Sequence, residues 1–355
     1  MTSAVVEYVA LSLLPLSCRR HGAERLRSGD PPADILDRLI WERWRQRADK
    51  RDALAAQARV ALVRAAERGL TPIVWNDARY PPALAAIVDP PPVLWTRGQI
   101  DAIARPAVAI VGSRAGSPYA LAVAERLAAD LAARGVVIIS GLARGVDSAA
   151  HRGALRGAGS TVAVLGSGAD VIYPPEHAGL ARDLEAAGAI VSELVPGTPP
   201  RKPFFPLRNR IISGLSRAVV VVEAGERSGS LITARAALEQ GREVLAVPGN
   251  VLTGRNRGAH ALLRDGAKIV ETADDVAEEL QLPVCRSGRS GGVPGAFIDP
   301  VLAALTPGEP SDLDAVAERS GLSTARLLPR LFELELQGFV GRVGGGRFVR
   351  FDRSY

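Results

Sequence analysis

Between Ala107 and Val270 the chain repeats one pattern, a short run of Val, Ile and Ala without polar alternation followed by a stretch of helical periodicity. The runs are Ala107–Val111, Val136–Ser140, Thr161–Leu165, Ile190–Glu193, Ala218–Glu223, Glu243–Ala246 and Lys268–Val270. The stretches between them predict helices over Tyr119–Arg134, Val146–Gly157, Glu176–Ala187, Arg208–Leu215, Ser230–Gln240 and Gly258–Arg264. A strand apolar on both faces must be covered on both faces. Strict strand–helix alternation therefore predicts an α/β fold, a parallel sheet wrapped by helices. Ligands of such sheets bind outside the carboxyl ends of the strands, so the loops there are the ones that matter.

The flanks differ from this core. Region 1–95 shows helical periodicity between Ala33 and Gly69, with arginines on the polar side. It closes on Thr71–Trp75, Tyr80-Pro81-Pro82 and the stiff connector Asp89-Pro90-Pro91-Pro92. The core spans 96–282, and 283–296 is a Gly/Ser-rich linker predicted to be flexible. The last module, 297–355, runs helix (Asp312–Arg319), turn (Ser320–Ser323), a second helix to about Gln337, then a hairpin of Phe339–Val343 and Arg347–Phe351 around Gly344-Gly345-Gly346. That is the order of a winged helix. Pro329 falls inside its second helix, where a lost hydrogen bond costs about 3 kcal/mol unless the helix kinks. Arg326 and Arg330 alternate there with Glu333 and Glu335, so a protein-docking role is as well supported as groove reading.

A formal charge of +6 favours a polyanionic partner, although an arginine-rich composition alone would also produce it. No apolar run is long enough to cross a bilayer, and the start lacks the basic flank and cleavage site of a secretory signal. Cys18 and Cys285 are isolated, which fits a reducing cytoplasm. His21, His151, His177 and His260 show no metal-ligand spacing, and no G-x-S-x-G elbow or G-K-[ST] loop occurs. Neither a metal, a cofactor nor a catalytic residue is expected.

Four segments carry the binding chemistry. Val111-Gly112-Ser113-Arg114-Ala115-Gly116-Ser117 joins a strand to a helix: Gly112 permits close approach, Ser113 and Ser117 add hydroxyls and Arg114 a forked cation. Ser140-Gly141-Leu142-Ala143-Arg144 ends the adjacent strand and brings Ser140, Gly141 and Arg144 beside it. Asp147 then caps the next helix, and His151 one turn on is in reach of a hydrogen-bonded pair with Asp147, with packing the commoner role for a lone helical histidine. The third segment, Arg201 to Leu215, holds Lys202, Arg208 and Arg210 with no acid among them, interleaved with Phe204 and Phe205. Cations tracking a backbone and aromatics for stacking are what single-stranded DNA requires. Phe205, just before Pro206, is expected in the core, leaving Phe204 for bases. In the fourth, Ser228, Gly229 and Ser230 open a helix as a second anion nest, and Glu223 ends the strand before it with no catalytic partner tied to it by spacing.

In their order and wording these segments resemble the DNA-processing protein A (DprA/Smf) family, over about Ala107 to Val270. The resemblance implies an extended Rossmann-like sheet, preceded by a helical SAM-like domain and followed by a winged helix. It implies a non-enzymatic, dimeric, single-stranded DNA-binding protein that protects incoming DNA and delivers it to a RecA-type recombinase in natural transformation. The implied DNA contacts are Arg114, Lys202, Arg208 and Arg210, with Gly112, Ser113, Ser140, Gly141, Asn209 and Ser230 shaping the pocket. Arg114→Ala or Arg208→Ala should then weaken binding and flatten its salt dependence. His260 stands where the family more often has asparagine. Two rival readings are a nucleotide phosphoribohydrolase, which shares the Gly-Ser loop but has a trailing glutamate missing here, and a transcription factor acting through the winged helix.

Overall fold

The computed structural model describes residues 3–45, 48–281, 299–306, 309–336, 339–343 and 346–350. The predicted linker 283–296 and the hairpin tip Gly344-Gly345 lie outside the described residues. The chain divides into two compact units, Met1–Val284 and Cys285–Tyr355.

The large unit is built on nine strands: β1 (Thr71–Val74), β2 (Val93–Gly98), β3 (Ala107–Val111), β4 (Val137–Ser140), β5 (Thr161–Val164), β6 (Ala189–Ser192), β7 (Ala218–Val221), β8 (Glu243–Ala246) and β9 (Lys268–Ile269). Their order is β1-β2-β6-β5-β4-β3-β7-β8-β9. Every pair from β6 to β9 is parallel, while β2 runs antiparallel to both β6 and β1. The predicted doubly covered sheet is thus present. Val108 and Ile110 point into one apolar layer, under the helices Pro118–Ala133 and Val146–Arg156. Ala107, Ala109 and Val111 point into the other, under Phe204–Gly214 and Ser230–Glu239. Alternate side chains of a strand face opposite sides, so each layer reads as half of one Val/Ile/Ala run.

The sheet starts at Thr71 rather than Thr96. Pro72 weakens the strand signal, but β1 is an edge strand, where a missing N–H is tolerated. The proline-rich connector is the return between β1 and β2: Trp75 N donates to Pro92 O at 3.0 Å, and the buried Tyr80 hydroxyl donates to Pro91 O at 2.7 Å. Helices Ser3–Ser12, Leu16–Arg27, Pro32–Trp44 and Ala48–Glu67 precede it. Their apolar cluster, including Val9, Ile35, Ile40 and Leu62, continues into Val93, Trp95, Leu165 and Leu184 of the sheet layer.

The small unit has helices Pro300–Ala304, Leu313–Ser320 and Thr324–Leu336, and a hairpin of β10 (Val340–Val343) with β11 (Arg347–Arg350). Val301, Val316, Leu327, Leu331, Leu334 and Phe348 form its core. Asp312 caps the second helix by accepting Ala315 N at 2.8 Å, and Gly321 ends it at φ 69°. The third helix runs on through Pro329.

Candidate nucleic-acid interface

Successive crossovers step from β3 outward to β6, then return to the other side of β3 with β7. In an open α/β sheet a crevice forms at such a reversal, above the carboxyl ends of the two strands. A cavity of about 640 Å³ occupies that place. Gly112 to Ala115 line it after β3, Gly225 and Arg227 to Ser230 after β7, and Phe205, Pro206, Arg208 and Asn209 from the helix Phe204–Gly214.

The loop after β3 is tied down on both sides. Ser113 N donates to Glu223 O at 2.8 Å. Glu223 is buried and accepts from Ser117 N at 3.2 Å and from Ser117 Oγ at 2.6 Å. Ser117 Oγ also accepts Ala120 N as the helix cap. The Ser117 hydroxyl, expected to donate to a ligand, is therefore committed to Glu223, and Glu223 is a latch. A Cβ on Gly112 would lie 2.7 Å from Val146, so glycine lets this loop seat against the next helix. Arg114 remains exposed, its guanidinium 5.1 Å above the Phe205 ring.

Arg208 lines the cavity but is 5 % exposed. Its guanidinium donates to Gly141 O at 2.7 Å, to Val164 O and to Asn209 Oδ1 at 3.1 Å, and lies 3.8 Å from Asp147. Asn209 Nδ2 reaches on to Gly229 O at 3.2 Å. Arg208 thus braces the loops after β4, β5 and β7. The brace needs Gly141, where a Cβ would sit 2.0 Å from the guanidinium. Burial pushes the guanidinium down to about 10, countered by Asp147 and helped by Arg114, so it stays cationic at neutral pH. Burial raises the Asp147 carboxyl despite Arg208. Asp147 accepts from Ala143 N at 3.4 Å, whereas Gly145 holds the cap position of its helix with no side-chain cap. The expected helix cap is instead the counter-ion of Arg208.

Arg210 does not join this group. It pairs with Glu193 at 2.8 Å and with Asp89 at 2.8 Å, nearly buried, on the other side of its helix. Two residues along a helix is a turn of about 200°, so Arg208 and Arg210 cannot share a face. Lys202 is exposed and Phe204 half-buried, and neither lines the crevice. Phe205 does, and its ring lies 5.6 Å from Tyr173, so the expectation that Phe205 is core is corrected. Ser140 is buried and donates to Ile110 O at 2.6 Å, which braces β4 against β3. Arg144 is exposed beside the crevice, paired with Glu176. Ser228, Gly229 and Ser230 line the wall as expected, at the amino end of the helix Ser230–Glu239, with Ser228 Oγ 2.7 Å from Ser230 Oγ. That end favours an anion.

Two lining residues escaped the sequence reading. Arg227 lines the crevice, while its neighbour Glu226 faces Arg257 at 3.6 Å. Phe205, expected in the core, also lines it. His151 donates from Nδ1 to Thr161 Oγ1 at 2.7 Å, whose hydroxyl donates to Ile138 O at 2.7 Å, so it makes no pair with Asp147. Its Nε2 is buried without a partner, and burial, with Arg208 and His177, holds the imidazole down to about 3. His260 Nε2 meets Gly249 at 3.1 Å, and Asn256 Oδ1 accepts Ala224 N at 3.2 Å, closing the loops after β8 and β7. Among the described residues no three His, Cys, Asp or Glu side chains group as a metal site. No described helix is long and apolar enough to cross a membrane.

Fold and site together define a doubly wound α/β protein with a crevice lined by cations, hydroxyls and an aromatic ring at its topological switch point. The chain belongs to the DNA recombination-mediator protein A family, whose pattern residues 71–281 match; residues 299–346 match the DprA winged helix domain. Protein Smf of Escherichia coli K12 is 44% identical over 284 residues, 78% of this chain and 76% of that one. DNA processing protein DprA of Streptococcus pneumoniae is 45% identical over 205 residues, 58% of this chain and 72% of that one. The solved DNA processing protein A of Streptococcus pneumoniae superposes with a TM-score of 0.66 at 36% identity, over 79% of this chain and 98% of that one. That of Helicobacter pylori, solved to explain its single-stranded DNA binding mode, gives 0.54 at 29% identity, over 60% and 97%.

Proposed function

We propose that this chain binds single-stranded DNA in the crevice between β3 and β7 and hands it to a RecA-type recombinase, as a mediator of recombination and natural transformation. The observation that carries the reading is Arg114 poised 5.1 Å over the half-exposed ring of Phe205, a cation and a π-face side by side. An unpaired strand offers both a phosphate and a free base face; a duplex hides the second. In this reading Arg114, Arg227, Ser113 and the Ser228–Ser230 turn take phosphate, and Phe205 takes a base. Gly112, Ser140, Gly141, Arg208 and Asn209 set the spacing of the loops. Lys202, Phe204 and Arg144 extend the contact outside the crevice, while Arg210 holds the scaffold. The protein acts by binding, without a reaction of its own, in the cytoplasm and as a homodimer. Membership of the mediator family and the likeness to a solved single-stranded DNA-binding relative support this. Region 1–95 serves as a SAM-like accessory and the small unit as a winged-helix docking module. The phosphoribohydrolase reading lacks its trailing glutamate, and Glu223, the acid at the end of β7, is committed to Ser117.

Equilibrium binding of the full chain to a labelled oligo-dT and to a duplex of equal length, across a salt series, tests the proposal. Tight, steeply salt-dependent binding of the single strand and weaker binding of the duplex are expected. Indifference to the single strand in dilute buffer overturns it.

A further inference from the structure

Beside the crevice lies a small depression of about 60 Å³ that shares Arg114, Ala143, Phe205 and Arg208 with it and adds Gly141, Arg144, Tyr173 and Pro174. Along the sheet edge the carboxyl loops follow in the order β7, β3, β4, β5. The crevice occupies the first two, and the depression continues the same line to the loops after β4 and β5. Four side chains mark that line: the Arg114 guanidinium over Phe205, the Phe205 ring 5.6 Å from Tyr173, Tyr173 itself 40 % exposed, and Arg144 beyond it. A tyrosine offers a large flat apolar face, and here an exposed one abuts a ring already assigned to a base. Phe205 and Tyr173 meet at 44° and are in contact, so bases stack on their outer faces rather than between them.

The segment carrying Tyr173 is anchored. Ser167 Oγ donates to Val171 O at 2.6 Å, and His177, three residues past Pro174, is buried with Nδ1 2.9 Å from Leu142 O. The ring is therefore presented on a fixed base. Arg144, by contrast, is held only by Glu176, at the surface. An exposed ion pair contributes little, so a phosphate can displace the carboxylate.

Building on the proposed strand-binding role, we propose that the Tyr173–Arg144 ridge is a second nucleotide subsite. The next base of the strand stacks on Tyr173, and its phosphate takes Arg144 from Glu176. The strand would then leave the crevice toward β5, across the sheet edge.

The test uses the full chain and oligo-dT carrying a single 2-aminopurine at successive positions. Stacking quenches this fluorophore. Phe205→Ala should restore emission at one position and Tyr173→Ala at the neighbouring one, while Tyr173→Phe keeps the quench. Tyr173→Ala should weaken binding about tenfold, within the range for losing one aromatic stack. Glu176→Gln, a surface change that leaves the fold alone, should tighten binding severalfold by freeing Arg144. An unaltered emission profile and affinity in Tyr173→Ala, with Phe205→Ala still defective, overturns this subsite and leaves the crevice reading intact. No tightening in Glu176→Gln overturns the role of Arg144. No binding by the unaltered chain removes both readings at once.

Discussion

The carboxyl edge of the large sheet and the last long helix of the small unit both carry arginines among acids, and they use them in opposite ways. On the sheet edge Arg208 and Arg210 are buried, each held by groups distant in sequence. On the helix Thr324–Leu336, Arg330 is 39% exposed and bridges Asp299 and Glu333 at the surface, and Arg342 on β10 meets Glu335 at 3.3 Å. That helix also exposes Leu328, at 43%, and Phe332, at 53%, as well as Arg326. Counting basic residues would rank the two regions alike. Burial and pairing separate them, into cations that brace the fold, as Arg208 and Arg210 do, cations offered to a ligand, as Arg114 and Arg227 are, and cations paired at the surface, as Arg330 and Arg342 are.

The largest expected effect is at Arg210. Arg210→Ala leaves Glu193 buried beside an empty place, and losing one partner of a buried pair costs about 3–5 kcal/mol. Urea unfolding should show it; a loss under 1 kcal/mol would erase the distinction between the regions.

Acid should separate the units next. His151 is neutral in the folded state, with its imidazole at about 3 instead of 6.5. Its contribution is complete above pH 6.5 and drains as the pH falls toward 3, because the unfolded chain then binds the extra proton. At pH 4.5 this amounts to about 3 kcal/mol, at about 1.4 kcal/mol per pH unit. All four histidines precede residue 261, so the small unit lacks this liability. His151→Leu should flatten the stability profile between pH 6.5 and 4.5, and an unchanged profile would show that another group drives acid unfolding.

Binding separates exposed from buried arginines on the edge itself. Arg114→Ala should lower affinity for oligo-dT about tenfold to a hundredfold, as for a lost charge-assisted bond, and reduce the salt slope by about 0.7. Arg208→Gln, which removes the charge together with the brace, should weaken binding without changing that slope, because the buried guanidinium meets no phosphate. If both variants change the slope equally, Arg208 touches phosphate after all. The smallest effect belongs to the small unit. Arg330→Ala should cost no more than about 1 kcal/mol, as for exposed pairs, and leave the salt slope alone.

Much of this was legible in the sequence, for identifiable reasons. Strands β3 to β8 sit where the Val/Ile/Ala runs place them, because a doubly buried strand has no other composition open to it. The helix predicted from Arg208 begins at Phe204, since Pro206 occupies the first turn, where its missing N–H would have had no partner anyway. That one misreading sent Phe205 to the core and hid the ring that lines the crevice. Gly112, Ser113, Arg114 and Ser228 to Ser230 were identified and do meet at the crevice. Ser140, Lys202, Phe204 and Arg210 were identified and do not line it.

The sequence by itself determined the strands, the helices, the two apolar faces of the sheet and the set of loops at its carboxyl edge. Each is written in a local period fixed by backbone geometry. Only the tertiary structure decided that β7 returns beside β3, which selects two of those loops as walls, and which arginines keep their charge for a ligand. Partners settle that question, and partners come from far away. Asp89 lies 121 residues from Arg210, and Val164 lies 44 from Arg208, distances no window of periodicity can span.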